Sequence, residues 1–286
     1  MKVHHTIESL QSNLQQHKHQ GQTIAFVPTM GNLHQGHLDL VKKGQTLADK
    51  VVVSIYVNPL QFGANEDLAT YPRTLDDDLA KLEALGASDI FVPTDSIMYP
   101  EGKEIHTKVS VPKLGDRHCG ASRPQFFGGI TTVVAKLFNI VQADVSIFGE
   151  KDFQQLAIIR KMVDDLCIPT KVVGNPIVRE ADGLAMSSRN SYLSPEERAI
   201  APVLYQTLAR MKEKILADGM DSTLEQKAIA DLNSNGFTVD YLTLCNSKTL
   251  EPASKHDKAL VILAAAMLGK TRLIDNLELS LSPTHQ

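Results

Sequence analysis

The sequence lacks the cysteine pattern of a disulfide framework or a zinc site. Its three cysteines, Cys119, Cys167 and Cys245, are odd in number, widely separated and without CxxC spacing. Such usage fits a reducing compartment, and the reading places the chain in the cytoplasm. A basic stripe is also missing, and the formal net charge is -4. Nucleic acid is therefore not expected as a partner, and any anionic ligand must be held by a few focused cations. Long apolar runs are absent too. The longest, Ala259 to Leu268, is half of the roughly 20 residues that a membrane-spanning helix needs, so it reads as a buried core element. Met1-Lys2-Val3-His4-His5-Thr6 leads into a polar, helix-like segment without the apolar stretch of a signal peptide. Neither secretion nor membrane attachment is expected. With no internal repeat, low-complexity tract or Gly/Ser-rich linker, closely packed domains are expected rather than tethered ones.

What the sequence does contain is the composition of a globular protein, 43% hydrophobic and 22% charged over 286 residues. That length exceeds the usual single domain and suggests two. Short β-rich runs at 23–27, 51–57, 89–92 and 145–148 alternate with longer amphipathic stretches, the order of βαβ units in a parallel sheet with helices on its faces. Leucines at 75, 79, 82 and 85 have helical spacing, with Gly86 as the stop, and Thr131 to Val141 repeats the pattern. The character changes near residue 176. Ser194-Pro195-Glu196-Glu197 is a helix start whose helix is expected to reach about Ala217, and a second helix should begin near Ser222. Strand candidates at 238–245, 259–267 and 272–277 then predict a small sheet. The reading is thus an α/β domain over residues 1–175 and a smaller α+β domain over 176–286.

The most informative segment is Phe26-Val27-Pro28-Thr29-Met30-Gly31-Asn32-Leu33-His34-Gln35-Gly36-His37. A strand ends at Val27, a turn follows, and a helix opens near Gly36. At the C-terminal edge of a parallel sheet such a turn sits where ligands bind, and the helix N-terminus favours anions. His34 and His37, three apart, can face one ligand; Gly36 lets a phosphate or a base approach the backbone. A metal pair and two solvated imidazoles are the other readings, although no acidic or cysteine ligand clusters with the histidines. Phe148-Gly149-Glu150-Lys151-Asp152-Phe153-Gln154-Gln155 again follows a strand and puts a lysine, suited to phosphate, at the sheet edge. Its alternative is a solvated turn. Asp182-Gly183-Leu184-Ala185-Met186-Ser187-Ser188-Arg189-Asn190 joins two hydroxyls to a guanidinium able to grip phosphate oxygens, or is merely a polar loop before the Ser194 helix.

Together these segments, with Asn58-Pro59-Leu60-Gln61-Phe62, resemble the pantothenate synthetase family, nucleotidyltransferase-superfamily ligases with an HxGH sequence and a KMSKS-like loop. The blocks Pro28 to Gly31, His34 to His37, Asn58 to Phe62, Phe148 to Gln155 and Met186 to Asn190 occur in the family's order and spacing over nearly the whole chain. The resemblance implies a Rossmann-like N-terminal domain, a smaller C-terminal domain carrying the KMSKS-like loop, and a cytoplasmic homodimer. It places ATP against Met30, Gly31, Asn32, Leu33, His34, Gln35, Gly36 and His37, against Gly149, Glu150, Lys151 and Asp152, and against Val178, Met186, Ser187, Ser188 and Arg189. His37, His34, Lys151 and Arg189 take catalytic roles, and Gln61 and Gln155 bind pantoate, with Gln61 bordering the β-alanine site. Two positions depart from the family. Arg123-Pro124-Gln125-Phe126-Phe127 lacks the usual histidine of the segment 122–130, and Ala185 stands where the KMSKS-like loop begins with lysine.

The implied reaction condenses (R)-pantoate with β-alanine to pantothenate, AMP and pyrophosphate through pantoyl adenylate, with ATP as co-substrate and Mg²⁺ on its phosphates. Asp76-Asp77-Asp78 is either a source of metal ligands or a solvated helix start, and no metal ligand is assigned. A mobile loop at 122–129 is expected to help close the site. The remaining alternatives are a nucleotidyltransferase that keeps the nucleotide on its product, and a nucleotide sensor without chemistry.

Overall fold

The computed structural model describes residues 1–63 and 66–281. They form two units, one of residues 1–116, 123–150 and 155–176, the other of residues 117–122, 151–154 and those described from 177 onward. In chain order the elements are β1 (Lys2–His4), α1 (Ile7–His19), β2 (Ile24–Thr29), α2 (Gln35–Gln45), β3 (Lys50–Ile55), α3 (Leu75–Leu85), β4 (Asp89–Phe91) and the single-turn α4 (Asp95–Met98). After α5 (Cys119–Ser122), which belongs to the second unit, come α6 (Phe126–Val141), β5 (Val145–Gly149), α7 (Phe153–Asp165) and β6 (Lys171–Asn175).

The first unit is a six-stranded parallel sheet in the order β1-β4-β3-β2-β5-β6. Central β2 carries Ile24, Ala25, Phe26 and Val27, all fully buried, because a parallel strand covered on both faces needs apolar residues on both. The order reverses at β2: β3 and β4 run out on one side, β5 and β6 on the other. This is the switch point at which open α/β sheets bind ligands. Among the described residues β2 pairs with β5 only at Ala25–Val145 and Phe26–Ser146, whereas β5 follows β6 to Gly149–Asn175. Pro28, lacking an N–H, stands just past the last β2–β5 pair, where no donor is required.

Two short strands are not foreseen from the sequence. β1 has three residues at a sheet edge, just before the segment that reads as polar and helix-like, and only the pairing Lys2–Asp89 to His4–Phe91 makes it a strand. β6 lies at the other edge with no fully buried residue, so its sequence carries little alternation. Helix α3 spans Leu75–Leu85 and stops at Gly86, as its leucine spacing predicts.

The expected mobile loop at 122–129 is mostly helix. From Phe126 the chain is the first turn of α6, and Gly129 packs directly on the Pro59–Gln61 turn. A methyl group at Gly129 would collide with the Leu60 carbonyl and come within 2.8 Å of the Gln61 nitrogen.

The second unit contains α8 (Pro195–Ile200), α9 (Val203–Asp218), α10 (Leu224–Ser234) and the antiparallel sheet β7 (Phe237–Asn246), β8 (Ala259–Leu268), β9 (Thr271–Ser280), in that order. The apolar run Ala259–Leu268 is the central strand, buried among Leu204, Leu208, Met211 and Leu232. The single helix expected from Ser194 to about Ala217 is two. Ser194 caps α8 by accepting the Glu197 N–H, and the Glu197 carboxylate accepts the Ser194 N–H. Pro202 then removes the N–H that a continuous helix would donate to Arg198, so the helix breaks at Ala201-Pro202 and restarts at Val203.

Gly129→Ala is expected to destabilise the protein by about 1–3 kcal/mol through overpacking, read as a lowered urea midpoint. Unchanged stability would contradict the close approach of α6 to Leu60.

Candidate functional site

The loop from Met30 to His34 leaves the C-terminal end of β2 and runs straight into α2. Its shape is forced. Gly31 has φ +82°, and a Cβ there would press on Ile55 and on Asp78 Oδ2, each 3.1 Å away. Asn32 follows with φ +50°. The carboxylate of Asp78, fully buried in α3, accepts the N–H of Asn32 at 2.8 Å and of Leu33 at 2.7 Å, and the Thr74 hydroxyl at 3.2 Å. Lys81, one helical turn on, donates to the Leu33 carbonyl at 2.8 Å, and the Leu33 side chain is buried in the core. The Asp76–Asp78 run therefore divides: Asp76 and Asp77 are not buried, and Asp78 is neither solvated nor open to a metal but tethers the loop. Nothing local in the sequence signals this, because the partners lie 45 and 46 residues apart.

His34 is the N-cap of α2. Its Nδ1 accepts the Gly36 N–H at 3.1 Å, and His37 Nδ1 accepts the His34 N–H at 3.4 Å. The rings lie 4.1 Å apart between centroids. An imidazole whose Nδ1 accepts carries its proton on Nε2 when neutral. Both histidines are thus set as Nε2–H donors at a helix N-terminus, where backbone N–H groups and the helix dipole favour an anion. Gln35, by contrast, is exposed and its amide donates to Asp39 in the same helix.

Gly149 ends β5, the neighbour of β2, and Glu150 follows, its carboxylate lying against Gly174 of β6. The sheet thereby brings the Met30–His37 loop and the Gly149–Glu150 turn to adjacent strand ends. Gln61 follows β3 on the other side of β2; its amide nitrogen donates to the Met30 sulfur and its oxygen accepts from Asn58. Arg123, which the sequence does not single out, grips both oxygens of Glu66, donates to the Gln61 carbonyl at 3.3 Å and stacks on Phe126 at 3.5 Å. Phe126 occupies the position where the usual histidine is missing and serves as a platform for the guanidinium. Gln155 is half-buried near the start of α7.

Lys151, Asp152, Val178 and Met186 to Arg189 belong to the second unit. There Lys151 Nζ lies 3.9 Å from Asp152, and the Lys151 carbonyl accepts from Asn276 at 2.9 Å. Residues 178–186 form a tight hairpin in which Met186 N–H donates to Val178 and Glu180 N–H to Leu184. Arg179, also missed in the sequence, holds it: its guanidinium meets Asp275 bidentately at 2.6 and 2.8 Å, donates to the Gly183 carbonyl at 3.0 Å and stacks on Tyr205. Arg198 binds Asp182 at 2.6 Å and holds that carboxyl below the usual range. Beyond the hairpin the Ser187 hydroxyl accepts the Arg189 N–H and Asn190 ties back to the Ala185 carbonyl.

Comparisons with known proteins agree over almost the full length. The sequence profile described as pantoate-beta-alanine ligase matches residues 2–278. The pantothenate synthetase of Marinobacter nauticus is 54% identical over 281 residues, covering 98% of this chain and 100% of the relative. That of Hahella chejuensis is 55% identical over 278 residues, covering 97% and 98%. Among solved structures, the Thermus thermophilus pantothenate synthetase superposes with a TM-score of 0.91 at 44% identity, over 97% of this chain and 99% of its own. The pantoate-beta-alanine ligase of Francisella tularensis, solved with beta-gamma ATP and beta-alanine, superposes with a TM-score of 0.81 at 34% identity over 97% of each chain.

Asp78→Ala should leave the Asn32 and Leu33 N–H groups without their acceptor, at about 1–3 kcal/mol for each group left unsatisfied, and should lower turnover by loosening the loop. Denaturation and steady-state assays on one preparation check both; a variant with wild-type stability would exclude the tether.

Proposed function

The chain belongs to the pantoate–β-alanine ligase family, and from that premise we propose that it forms pantothenate in two steps, through a pantoyl adenylate made from ATP, with AMP and pyrophosphate released. One observation carries this reading: the His34–His37 pair, its Nδ1 atoms engaged by backbone N–H groups, caps α2 on a tethered loop at the switch point of the sheet. The Francisella tularensis relative, solved with beta-gamma ATP and beta-alanine, supports both as ligands of this chain.

In the first step a pantoate carboxylate oxygen attacks the α-phosphorus of ATP, and the bond from that phosphorus to the α,β-bridging oxygen breaks to release pyrophosphate. Negative charge grows on the leaving group, so catalysis is mostly positioning and charge stabilisation. The Nε2–H groups of His34 and His37 donate to phosphate oxygens, and Lys151 and Arg189 supply positive charge. Backbone groups of Met30 to Gly36, of Gly149 to Asp152, and of Val178 and Met186 to Ser188 complete the nucleotide contacts. Mg²⁺, when bound, neutralises phosphate charge. Asp78 is committed to the backbone of the loop, and no group of three or more acidic, histidine or cysteine side chains able to hold a metal occurs among the described residues. No protein ligand is therefore assigned to the ion, which would supply charge neutralisation on the phosphates. Gln61 and Gln155 bind the hydroxyls and carboxylate of pantoate.

In the second step the neutral amine of β-alanine attacks the activated acyl carbon, loses a proton and displaces AMP. Splitting the condensation replaces one high barrier by two lower ones, because a free carboxylate is a poor electrophile. The nucleotide and pantoate chemistry is assigned mainly to residues 1–175, with the Met186–Asn190 loop contributed by residues 176–286. A cytoplasmic homodimer completes the reading.

His37→Ala should lose most turnover while remaining folded, at about 3–4 kcal/mol in barrier for one lost electrostatic contact, and Lys151→Ala should chiefly slow adenylation. Near-normal turnover in folded His37→Ala would sink the assignment. With ATP, Mg²⁺ and pantoate but no β-alanine, the enzyme should release about one pyrophosphate per site and then slow, since a shielded anhydride is held. Adding β-alanine should release AMP, carrying one ¹⁸O from labelled pantoate. ADP in place of AMP would reject the adenylate in favour of an acyl phosphate.

A further inference from the structure

Asn58 is buried at the start of the Pro59–Gln61 turn, with 1% of its surface exposed. Its Oδ1 accepts from the Tyr99 hydroxyl at 2.9 Å and from the Leu60 N–H at 3.4 Å; its Nδ2 donates to the Gly129 carbonyl at 3.1 Å and to Gln61 Oε1 at 3.3 Å. The Leu60 N–H can only donate and the Gly129 carbonyl can only accept, so the Asn58 amide has one orientation. Reversed, it would set donor against donor at Leu60 and acceptor against acceptor at Gly129. The constraint passes to the next side chain. Because Asn58 offers Gln61 a hydrogen, the Gln61 amide turns its oxygen toward Asn58 and its NH₂ toward Met30, whose sulfur takes one N–H.

We propose that Tyr99 is a positioning residue: by donating to Asn58 Oδ1 it holds in place the amide whose backbone partners set the polarity of Gln61, so that Gln61 meets pantoate as a hydrogen-bond donor to a carboxylate or hydroxyl oxygen. The proposal rests on the assignment of Gln61 to pantoate made above. Tyr99 is suited to the role. It is 3% exposed, and burial, followed by the charge of Asp95, raises its hydroxyl well above the ordinary tyrosine range, which keeps it a proton donor. The Lys136 ammonium lies 4.9 Å over its ring. Tyr99 is 41 residues from Asn58 in sequence, and its hydroxyl donates to Asn58 rather than to Gln61, so its influence on substrate runs through the asparagine amide. A Gln61 held this way favours an ionised carboxylate, because it presents a donor and hides its acceptor.

The test is the steady-state kinetics of Tyr99→Phe, Gln61→Ala and the double variant, with pantoate and ATP varied separately. Tyr99→Phe removes one hydroxyl and keeps the ring, so folding should survive; Gln61→Glu serves as a second probe that removes the donor without truncating the chain. Tyr99→Phe should raise KM for pantoate about 3–10-fold, the worth of one net hydrogen bond, with KM for ATP within about twofold. The same substitution should change nothing further in the Gln61→Ala background, and Gln61→Glu should raise KM for pantoate more than Gln61→Ala does. If Gln61→Ala raises KM for pantoate but Tyr99→Phe is silent, the relay is overturned and the substrate role of Gln61 stands. A Tyr99→Phe effect that persists undiminished beside Gln61→Ala overturns positioning through Gln61. If Gln61→Ala leaves pantoate unaffected, the Gln61 assignment falls and the relay with it.

Discussion

A single buried carboxylate in α3 takes up two backbone N–H groups of the Met30–His34 loop. The loop must turn sharply out of a buried strand, and it does so through Gly31 and Asn32 in the left-handed region, which leaves the N–H groups of Asn32 and Leu33 pointing into the protein. A buried unpaired N–H is costly. Asp78 removes that cost, and in doing so fixes where α2 begins, hence where His34 caps it and how both imidazoles are tautomerised. The phosphate chemistry proposed for His34 and His37 depends on this one acceptor.

A comparable bracing by neighbouring groups recurs at Gln61 and at the hairpin before Met186. Asn58 and Arg123 hold the side chain and the carbonyl of Gln61. Arg179 and Asp275, a bidentate pair with 3% of the Asp275 side chain exposed, brace the hairpin that leads into Met186 to Arg189. Pre-organisation of this kind is what electrostatic catalysis requires, since donors that must reorient during reaction lose much of their benefit. It also explains why glycine stands at Gly129, where α6 meets the Leu60 carbonyl, and why a stretch that reads as a mobile loop is instead the first turn of a packed helix.

The sequence by itself determined the fold class, most strand positions and the three motif segments, because these depend on local signals: apolar runs, helical leucine spacing, Ser-Pro-Glu-Glu capping and glycine-containing turns after strands. It determined the family too, since five blocks in fixed order are a one-dimensional property. Elements with weak local signals escaped it, namely the edge strands β1 and β6, which exist through pairing alone, and the break at Pro202, hidden inside a continuous helical pattern. What only the tertiary structure decided was the use of charged and amide groups. Asp78 reads as part of an acidic run that is either a source of metal ligands or a solvated helix start, Arg123 stands only in a segment that departs from the family, and Arg179 and Tyr99 carry no local signal. Their partners lie tens of residues away, and a hydrogen bond leaves no mark on sequence spacing unless the two groups share a helix or a turn. Patterns of burial are written along the chain, whereas the direction in which a buried amide or carboxylate points is settled by the neighbours that folding brings to it.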